Sequence, residues 1–228
     1  GDRLLAEDSV RTQDDGVMEL AVNRTRVRIR ERSEFQIKTV TDQVLRARAR
    51  GHIDGEVPAG QGKLEVRAME GDAVVGSEGG EFSMTADDKG VVAVAAKGGE
   101  VSLTSAGRTV NLKSGQVSRV RPGQGPDAPA AALRRVLLSV AWPARKETNQ
   151  RRYPIAGKVE AGTRVLVQGR PVAVDPEGNF HVEVPLRDGK QNVAVVAVDV
   201  LGRRAAADAA VRFDNKLDAR LREQLWGR

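Results

Sequence analysis

Residues 69–123 read MEGDAVVGSEGGEFSMTADDKGVVAVAAKGGEVSLTSAGRTVNLKSGQVSRVRPG, and this stretch decides the fold class. β-Branched and apolar residues alternate with polar ones in short runs, and each run ends at a glycine pair or at a cluster of Asp, Lys and Gly. Alternation with a period of two is typical of strands with one buried face, and glycine-rich breaks are typical of tight turns. The stretch therefore predicts a meander of short strands, and its sequence contains no catalytic grouping.

This stretch resembles the FecR domain, the extracytoplasmic β-domain of iron-transport regulators that also occurs in envelope proteins of Gram-negative bacteria. The resemblance lies in an apolar pair running to a glycine, a strand through Phe82, an acidic-glycine turn, and then Gly-Gly-Glu-Val and Ser-Gly-Gln-Val. Where such domains usually carry Gly-Thr before the Phe strand, this chain has Gly-Ser-Glu-Gly-Gly at residues 76–80. Ser-Val-Arg-Thr at residues 9–12 is similar to the start of a FecR domain. The resemblance implies an all-β domain of solenoid or jelly-roll character over residues 1–121.

Composition changes at residues 122–131, where Pro, Gly and Ala replace almost every bulky side chain. Such a stretch is typical of a linker or a tightly turned connector, and it is the best candidate for a domain boundary. After it, strand-like runs alternate with turn signals about every eight to twelve residues, which is the spacing of a small β-sandwich. The sequence therefore predicts two domains, as expected for a chain of 228 residues.

Residues 132–213 closely resemble the bacterial immunoglobulin-like accessory domains, including the domain B type of glucodextranase. The matching turn and core positions follow one another in the same order: Gly157, Gly162, Val165, Val167, Gly169, Val174, Asp175, Gly178, Phe180, Val184, Pro185, Leu186, Gly189, Asn192, Asp199 and Gly202. In that family the module usually serves as a spacer, packing or adhesion element without an active site. The resemblance implies an immunoglobulin-like β-sandwich with the same kind of role.

The chain ends with a short amphipathic pattern at residues 214–228, for which we predict a helix. Asp214 is a suitable N-cap, and the leucines fall four residues apart on one helical face. This face either packs against the sandwich or forms a docking stripe for a partner, with a tryptophan as its anchor. The residues of the candidate docking helix are Leu217, Leu221, Leu225 and Trp226.

Two strand-like runs each place three arginines on one face. They are Arg26, Arg28 and Arg30 in one run, and Arg46, Arg48 and Arg50 in the other. Here they are called the first and the second arginine ladder. They are either solvated faces paired with nearby acids, for which Asp54, Glu56 and Glu65 are available, or a surface for an anionic partner, since the arginine fork matches carboxylate and phosphate groups.

Composition narrows the classes of function. The net charge of +6 favours anionic long-range partners, whereas the low aromatic content of 3% disfavours the stacking platforms of nucleic-acid and sugar binders. The chain has no Cys, and its two histidines, His52 and His181, have no second ligand at metal spacing, so we expect no cofactor, metal site or catalysis. No apolar run reaches the length of a membrane span, and the abrupt start favours a truncated first strand.

The sequence predicts an all-β protein without catalysis, and the two resemblances imply a protein-interaction or scaffold module in the periplasm or at the cell surface. The expected partner is an envelope protein or an acidic surface polymer, and no nucleic acid. Two alternatives stay open. One is the periplasmic part of a FecR-type signalling regulator, and the other is a binder of acidic cell-wall or surface polysaccharide.

Overall fold

The computed structural model describes residues 5–214, and in this range every regular element is a β-strand. The chain forms two compact units. The first runs to Arg134 and includes Val200–Gly202, and the second comprises Arg135–Asp199 and the chain from Arg203. The predicted all-β fold class is confirmed. The predicted C-terminal helix, with Leu217, Leu221, Leu225 and Trp226, lies outside the described residues.

Thirteen strands build the first unit as one continuous sheet. They are β1 (Ser9–Arg11), β2 (Met18–Val22), β3 (Thr25–Ile29), β4 (Glu34–Val40), β5 (Val44–Glu56), β6 (Lys63–Ala68), β7 (Val74–Ser77), β8 (Glu81–Ala86), β9 (Val92–Gly98), β10 (Glu100–Ser105), β11 (Arg108–Lys113), β12 (Gln116–Val120) and β13 (Ala130–Ala131). Strand β5 belongs to two wings of this sheet. The first wing has the order β11-β10-β7-β6-β5-β4-β1, and the second wing has the order β2-β3-β5-β8-β9-β12-β13.

The sharing of β5 depends on a glycine in the middle of the strand. The residues before Gly51 pair with β4 and β6, and those after it pair with β3 and β8. Gly51 has a φ of 95°, and a Cβ atom there would lie 2.3 Å from the Ser33 hydroxyl oxygen. Only glycine combines this backbone conformation with such close contact. Gly51 therefore allows β5 to pass from one wing to the other.

The inner faces of both wings share one apolar core. Strand β3 shows the alternation that builds this core, because Val27 and Ile29 are fully buried while Arg26 and Arg28 point outward. Phe82 is fully buried, and its ring occupies the space that a Cβ atom at Gly55 would need, 2.6 Å away. The alternation seen in the sequence therefore divides each strand into a core side and a solvent side.

Residues 122–131, predicted as a linker, are partly paired with the first unit. The backbone N–H of Asp127 donates to the Arg119 carbonyl at 2.8 Å, and β13 pairs with β12. The Arg121 guanidinium binds the Asp127 carboxylate at 3.1 Å. Backbone hydrogen bonds need no bulky side chains, and the first unit consequently extends to Arg134.

The second unit consists of two sheets that enclose a separate core. Its strands are β14 (Leu138–Ala141), β15 (Glu147–Thr148), β16 (Arg152–Val159), β17 (Arg164–Val167), β18 (Arg170–Val172), β19 (Asn179–Pro185), β20 (Gly189–Val198) and β21 (Arg204–Phe213). One sheet has the order β14-β16-β19 and the other β15-β21-β20-β17-β18. Tyr153, Ile155, Phe180 and Phe213 lie buried in the core. This is the two-sheet sandwich that the turn spacing predicted.

Candidate functional site

A shallow groove crosses the outer face of the second wing and contains the first arginine ladder. We call it the Asp54 groove, and its volume is ≈ 270 Å³. Its charged lining residues are Arg26, Arg28, Arg30 and Lys97 on the basic side and Glu19, Asp54, Glu56 and Glu81 on the acidic side. Four basic and four acidic groups give the groove no net charge, so it exerts little long-range attraction on an anionic ligand.

Asp54 on β5 is the centre of this groove. One carboxylate oxygen accepts hydrogen bonds from Lys97 Nζ at 2.7 Å and Ser83 Oγ at 2.5 Å, and the other accepts from Arg30 Nε at 2.6 Å. The side chain is only 12% exposed. Burial alone would raise the pKa of Asp54, but the hydrogen bonds from Lys97 and Ser83 outweigh it and lower the pKa to about 2. Asp54 is therefore ionised over the physiological pH range.

Next to this carboxylate lies a buried histidine. His52 Nε2 is 2.8 Å from Ser83 Oγ and 3.9 Å from the Asp54 carboxylate. Because Ser83 gives its proton to ionised Asp54, the serine oxygen accepts from the His52 ring, which must then carry a proton on Nε2. In a nucleophilic triad the histidine would instead accept the serine proton. The order Asp54–Ser83–His52 thus makes a structural network and leaves the serine unactivated.

The first arginine ladder is paired with acids on the neighbouring strands. Arg26 binds Glu56 at 3.2 Å, with both side chains about half exposed, and Arg30 binds the more buried Asp54. Arg28 binds Glu19 of β2 at 3.3 Å. This is the interleaving of charges that the structural interpretation of the ladder requires.

The second ladder lies on the β5 segment of the first wing, and its three arginines also bind partners within the first unit. Arg46 binds Glu65 at 2.6 Å, Arg50 binds Glu34 at 2.9 Å, and Arg48 donates to the Met69 carbonyl at 2.8 Å. Hydrogen bonds from arginines lower the pKa of both acids: Arg46 has the largest effect on Glu65, and Arg11 on Glu34. Both ladders thus form the predicted faces. Their use by an anionic partner stays a prediction.

The positive charge of the chain is concentrated away from the ladders. Residues 5–134 contain 19 basic and 19 acidic residues, so the first unit is neutral over its described N-terminal range. Residues 135–214 contain 13 basic and nine acidic residues. The attraction for anions that the net charge of +6 suggests is therefore stronger around the second unit.

Two acidic turns, at Asp87 and Asp175, bind backbone N–H groups of their own loops. Asp87 accepts hydrogen bonds from the N–H groups of Lys89 and Val91 at 2.9 and 2.8 Å, and burial raises the pKa of its carboxyl. Asp175 accepts from Glu177 and Asn179 in the same way. No cluster of three or more metal-ligating side chains occurs within residues 5–214. No helix in that range could cross a membrane.

Sequence reasoning named the arginines and their candidate acids but missed the cluster around Asp54. A local signal existed, because His52, Asp54 and Glu56 alternate along β5 and must share one face. Ser83 and Lys97 reach the same place only through the pairing of β5 with β8 and of β8 with β9. The composition of the cluster therefore depends on long-range register, which the local pattern does not contain.

Comparison with known proteins gives a partial structural likeness. No family model and no curated protein matches the chain. Among solved structures, two crystal structures of a protein provisionally described as an anti-sigma factor from Parabacteroides distasonis ATCC 8503 are similar, at 16% and 15% identity and a TM-score of 0.48 each. The match covers 54% of this chain and 59% of that one.

Proposed function

We propose that the chain is a non-enzymatic protein-interaction or scaffold module that acts outside the cytoplasm, in the periplasm or at the cell surface. In this proposal the first unit is a FecR-type domain and the second an immunoglobulin-like domain of the glucodextranase domain B type. The resemblances in the sequence support this assignment. The two-unit β-architecture is compatible with it.

The proposal rests on one observation: the surface of the first unit has charged side chains that are paired and apolar side chains that are exposed. Charged side chains of the Asp54 groove and of both ladders bind one another or, in the case of Arg48, a backbone carbonyl, whereas large apolar side chains are exposed beside β1, β2 and β4. Leu5 precedes β1, Val17 and Met18 lie at the start of β2, and Val40 ends β4, with exposures of 40% or more. Val17 and Met18 are adjacent in sequence, and adjoining exposed apolar side chains favour contact with another protein.

The absence of catalysis is part of the proposal, and the direction of the hydrogen bond from Ser83 to Asp54 supports it. The Ser83 hydroxyl is committed to Asp54 and cannot be deprotonated by His52 while that bond persists. Arg30 and Lys97 occupy two further acceptor positions of the same carboxylate. The groove is therefore better suited to holding strands together than to activating a substrate.

The proposal is tested by affinity capture from envelope extract with the immobilised chain. We expect the wild type to retain a discrete protein and the Val17→Ser/Met18→Ser variant to lose it, because the substitutions remove apolar contact area at the rim. Leu137→Ser is a matched control, since Leu137 is 55% exposed and Val17 59%. Capture of nothing by the wild type, or equal loss in the control, would contradict the proposal.

A second candidate function, binding of an acidic surface polymer, is favoured by the basic excess of residues 135–214. The exposed cations Arg170, Arg187 and Lys190 are positions where replacement by Glu leaves the core untouched. Binding of an acidic polysaccharide should weaken strongly in that triple variant and lose much of its salt dependence. If the replacement of Arg26, Arg28 and Arg30 by Gln weakens binding instead, the first ladder is the anionic-partner surface.

A further inference from the structure

Strand β2 is an open edge of the second wing. Within the described part of the chain it pairs only with β3. Its sequence, MELAV, carries one charge, and Arg28 on the neighbouring strand binds that Glu19 carboxylate. The long edge strand of the first wing, β11, instead carries Arg108 and Lys113. Charges on edge strands discourage pairing with other chains, and β2 has less of this protection than β11 because its single charge is paired with Arg28.

The turn between β2 and β3 determines which backbone groups of β2 remain available. Val22 lies opposite Thr25 across a two-residue turn, and the residues that flank such a turn form a hydrogen-bonded pair. Hydrogen-bonded and non-hydrogen-bonded pairs alternate from there, so Leu20 also bonds to β3. The N–H and C=O groups of Glu19 and Ala21 consequently point to the open side.

We propose that β2 pairs antiparallel with β2 of a second copy of this chain, about a two-fold axis that passes between the two Leu20 residues. In this register Glu19 of each copy lies opposite Ala21 of the other, and their outward backbone groups form four hydrogen bonds. The proposal rests on the proposed protein-interaction function and names a second copy as the partner.

The side chains of β2 are complementary to themselves in this register. Met18, Leu20 and Val22 lie on the core side, and each meets an apolar residue of the same set in the second copy. Leu20 and Val22 are only partly buried in the single chain, so pairing covers them further. Glu19 faces alanine, which avoids a pair of like charges directly across the strands. A second copy thus satisfies the backbone, the apolar row and the charge at once.

Cysteine cross-linking tests the register directly, because the chain contains no Cys. Leu20→Cys would place two thiols in a non-hydrogen-bonded pair with Cα atoms about 4.5 Å apart, within the range of a disulfide. We expect a disulfide-linked dimer on mild oxidation. Val110→Cys is the matched control, since Val110 is a partly buried apolar residue of edge strand β11 and should stay monomeric.

Two further variants test the antiparallel arrangement. Met18→Cys and Val22→Cys should cross-link to each other when the two proteins are mixed, and neither should cross-link efficiently alone. Parallel pairing or a shifted register would change this pattern and overturn the proposed geometry.

Sedimentation across micromolar to millimolar concentrations tests the interface without cross-links. Ala21→Pro removes two hydrogen-bond donors per dimer, because each copy contributes one, and should weaken dimerisation about 30-fold or more. Asn111→Pro makes the same change at an outward position of β11 and should leave the dimer intact.

The outcomes separate this inference from the proposed function. A wild type that stays monomeric at every concentration, or a dimer that Ala21→Pro leaves unchanged, would overturn the pairing of β2. If the monomeric chain still captures a different envelope protein through Val17 and Met18, the proposed function holds and only self-association is wrong. If the chain dimerises through β2 but captures nothing else, self-association is the interaction that the edge serves.

Discussion

Replacement of Asp54 by asparagine should destabilise the first unit strongly, because it removes the one charge on which Arg30, Lys97 and Ser83 converge. The pKa of Asp54 is lowered from 3.8 to about 2. A shift of this size corresponds to about 2 kcal/mol of stability at neutral pH. The variant also leaves two cations without this counter-ion in a partly buried site, so the expected total loss is about 2 to 4 kcal/mol.

The same shift fixes the sign of the pH dependence. The folded-state pKa of Asp54 lies below the unfolded value, so its contribution is fully present above about pH 4 and is lost as the pH falls towards 2. Between those values the wild type should lose about 2 kcal/mol more than Asp54→Asn. The two unfolding free energies should therefore converge in acid.

Urea unfolding followed by circular dichroism measures both effects. Residues 5–134 contain neither Trp nor Tyr, whereas Trp142 packs against the core of the second unit, so tryptophan fluorescence helps to separate the two transitions. Glu56→Gln is the control, because the exposed Arg26–Glu56 pair should contribute no more than about 1 kcal/mol. A loss below about 0.5 kcal/mol in Asp54→Asn, or parallel pH profiles for variant and wild type, would refute the reasoning.

Three other outcomes are expected from the geometry. Gly51→Ala should lower the free energy of unfolding by more than about 3 kcal/mol, because it combines a positive φ with a severe clash. A loss below about 1 kcal/mol would contradict the role of Gly51 in passing β5 from one wing to the other. Arg30→Gln should lower the melting temperature clearly, whereas Arg26→Gln should have little effect, and equal effects would contradict the difference in burial of the two pairs. Limited trypsin digestion should cut after Arg134, which is exposed, before it cuts after Arg121, which is bound to Asp127. A mass-spectrometric time course measures the order of the two cuts. The opposite order would indicate that residues 122–131 form an open linker.

Local sequence patterns predicted the strands because burial on one face imposes a period of two. Arg26, Arg28 and Arg30 fell on the predicted face, and three acids named as available partners do bind ladder arginines. Asp54 and Glu56 lie on the same strand as the second ladder, but they bind Arg30 and Arg26 of β3 across the β3–β5 pairing. Lys97 could not be predicted as a partner of Asp54, because its position there depends on β9 lying next to β8 in the sheet. Local periodicity determines which face of a strand a side chain occupies, whereas the register between distant strands determines which side chains meet in a site.

The predicted linker shows a second limit of composition. Pro, Gly and Ala bury little apolar area, and their enrichment at residues 122–131 indicated a connector. A β-ladder, however, needs only backbone N–H and C=O groups, and Ala130 and Ala131 supply them to β12. Small side chains thus indicate weak packing but do not exclude pairing.

The uneven distribution of charge between the two units separates two kinds of association. A net charge of +6 spread evenly would let either unit attract anions, but the neutral composition of residues 5–134 makes the first unit a poor electrostatic target. Association through β2 should therefore depend weakly on salt, because its contacts are backbone hydrogen bonds and apolar side chains. Association of the second unit with an acidic polymer should weaken steeply as salt increases, because it depends on unscreened charge. A salt titration of each interaction accordingly identifies the unit that carries it.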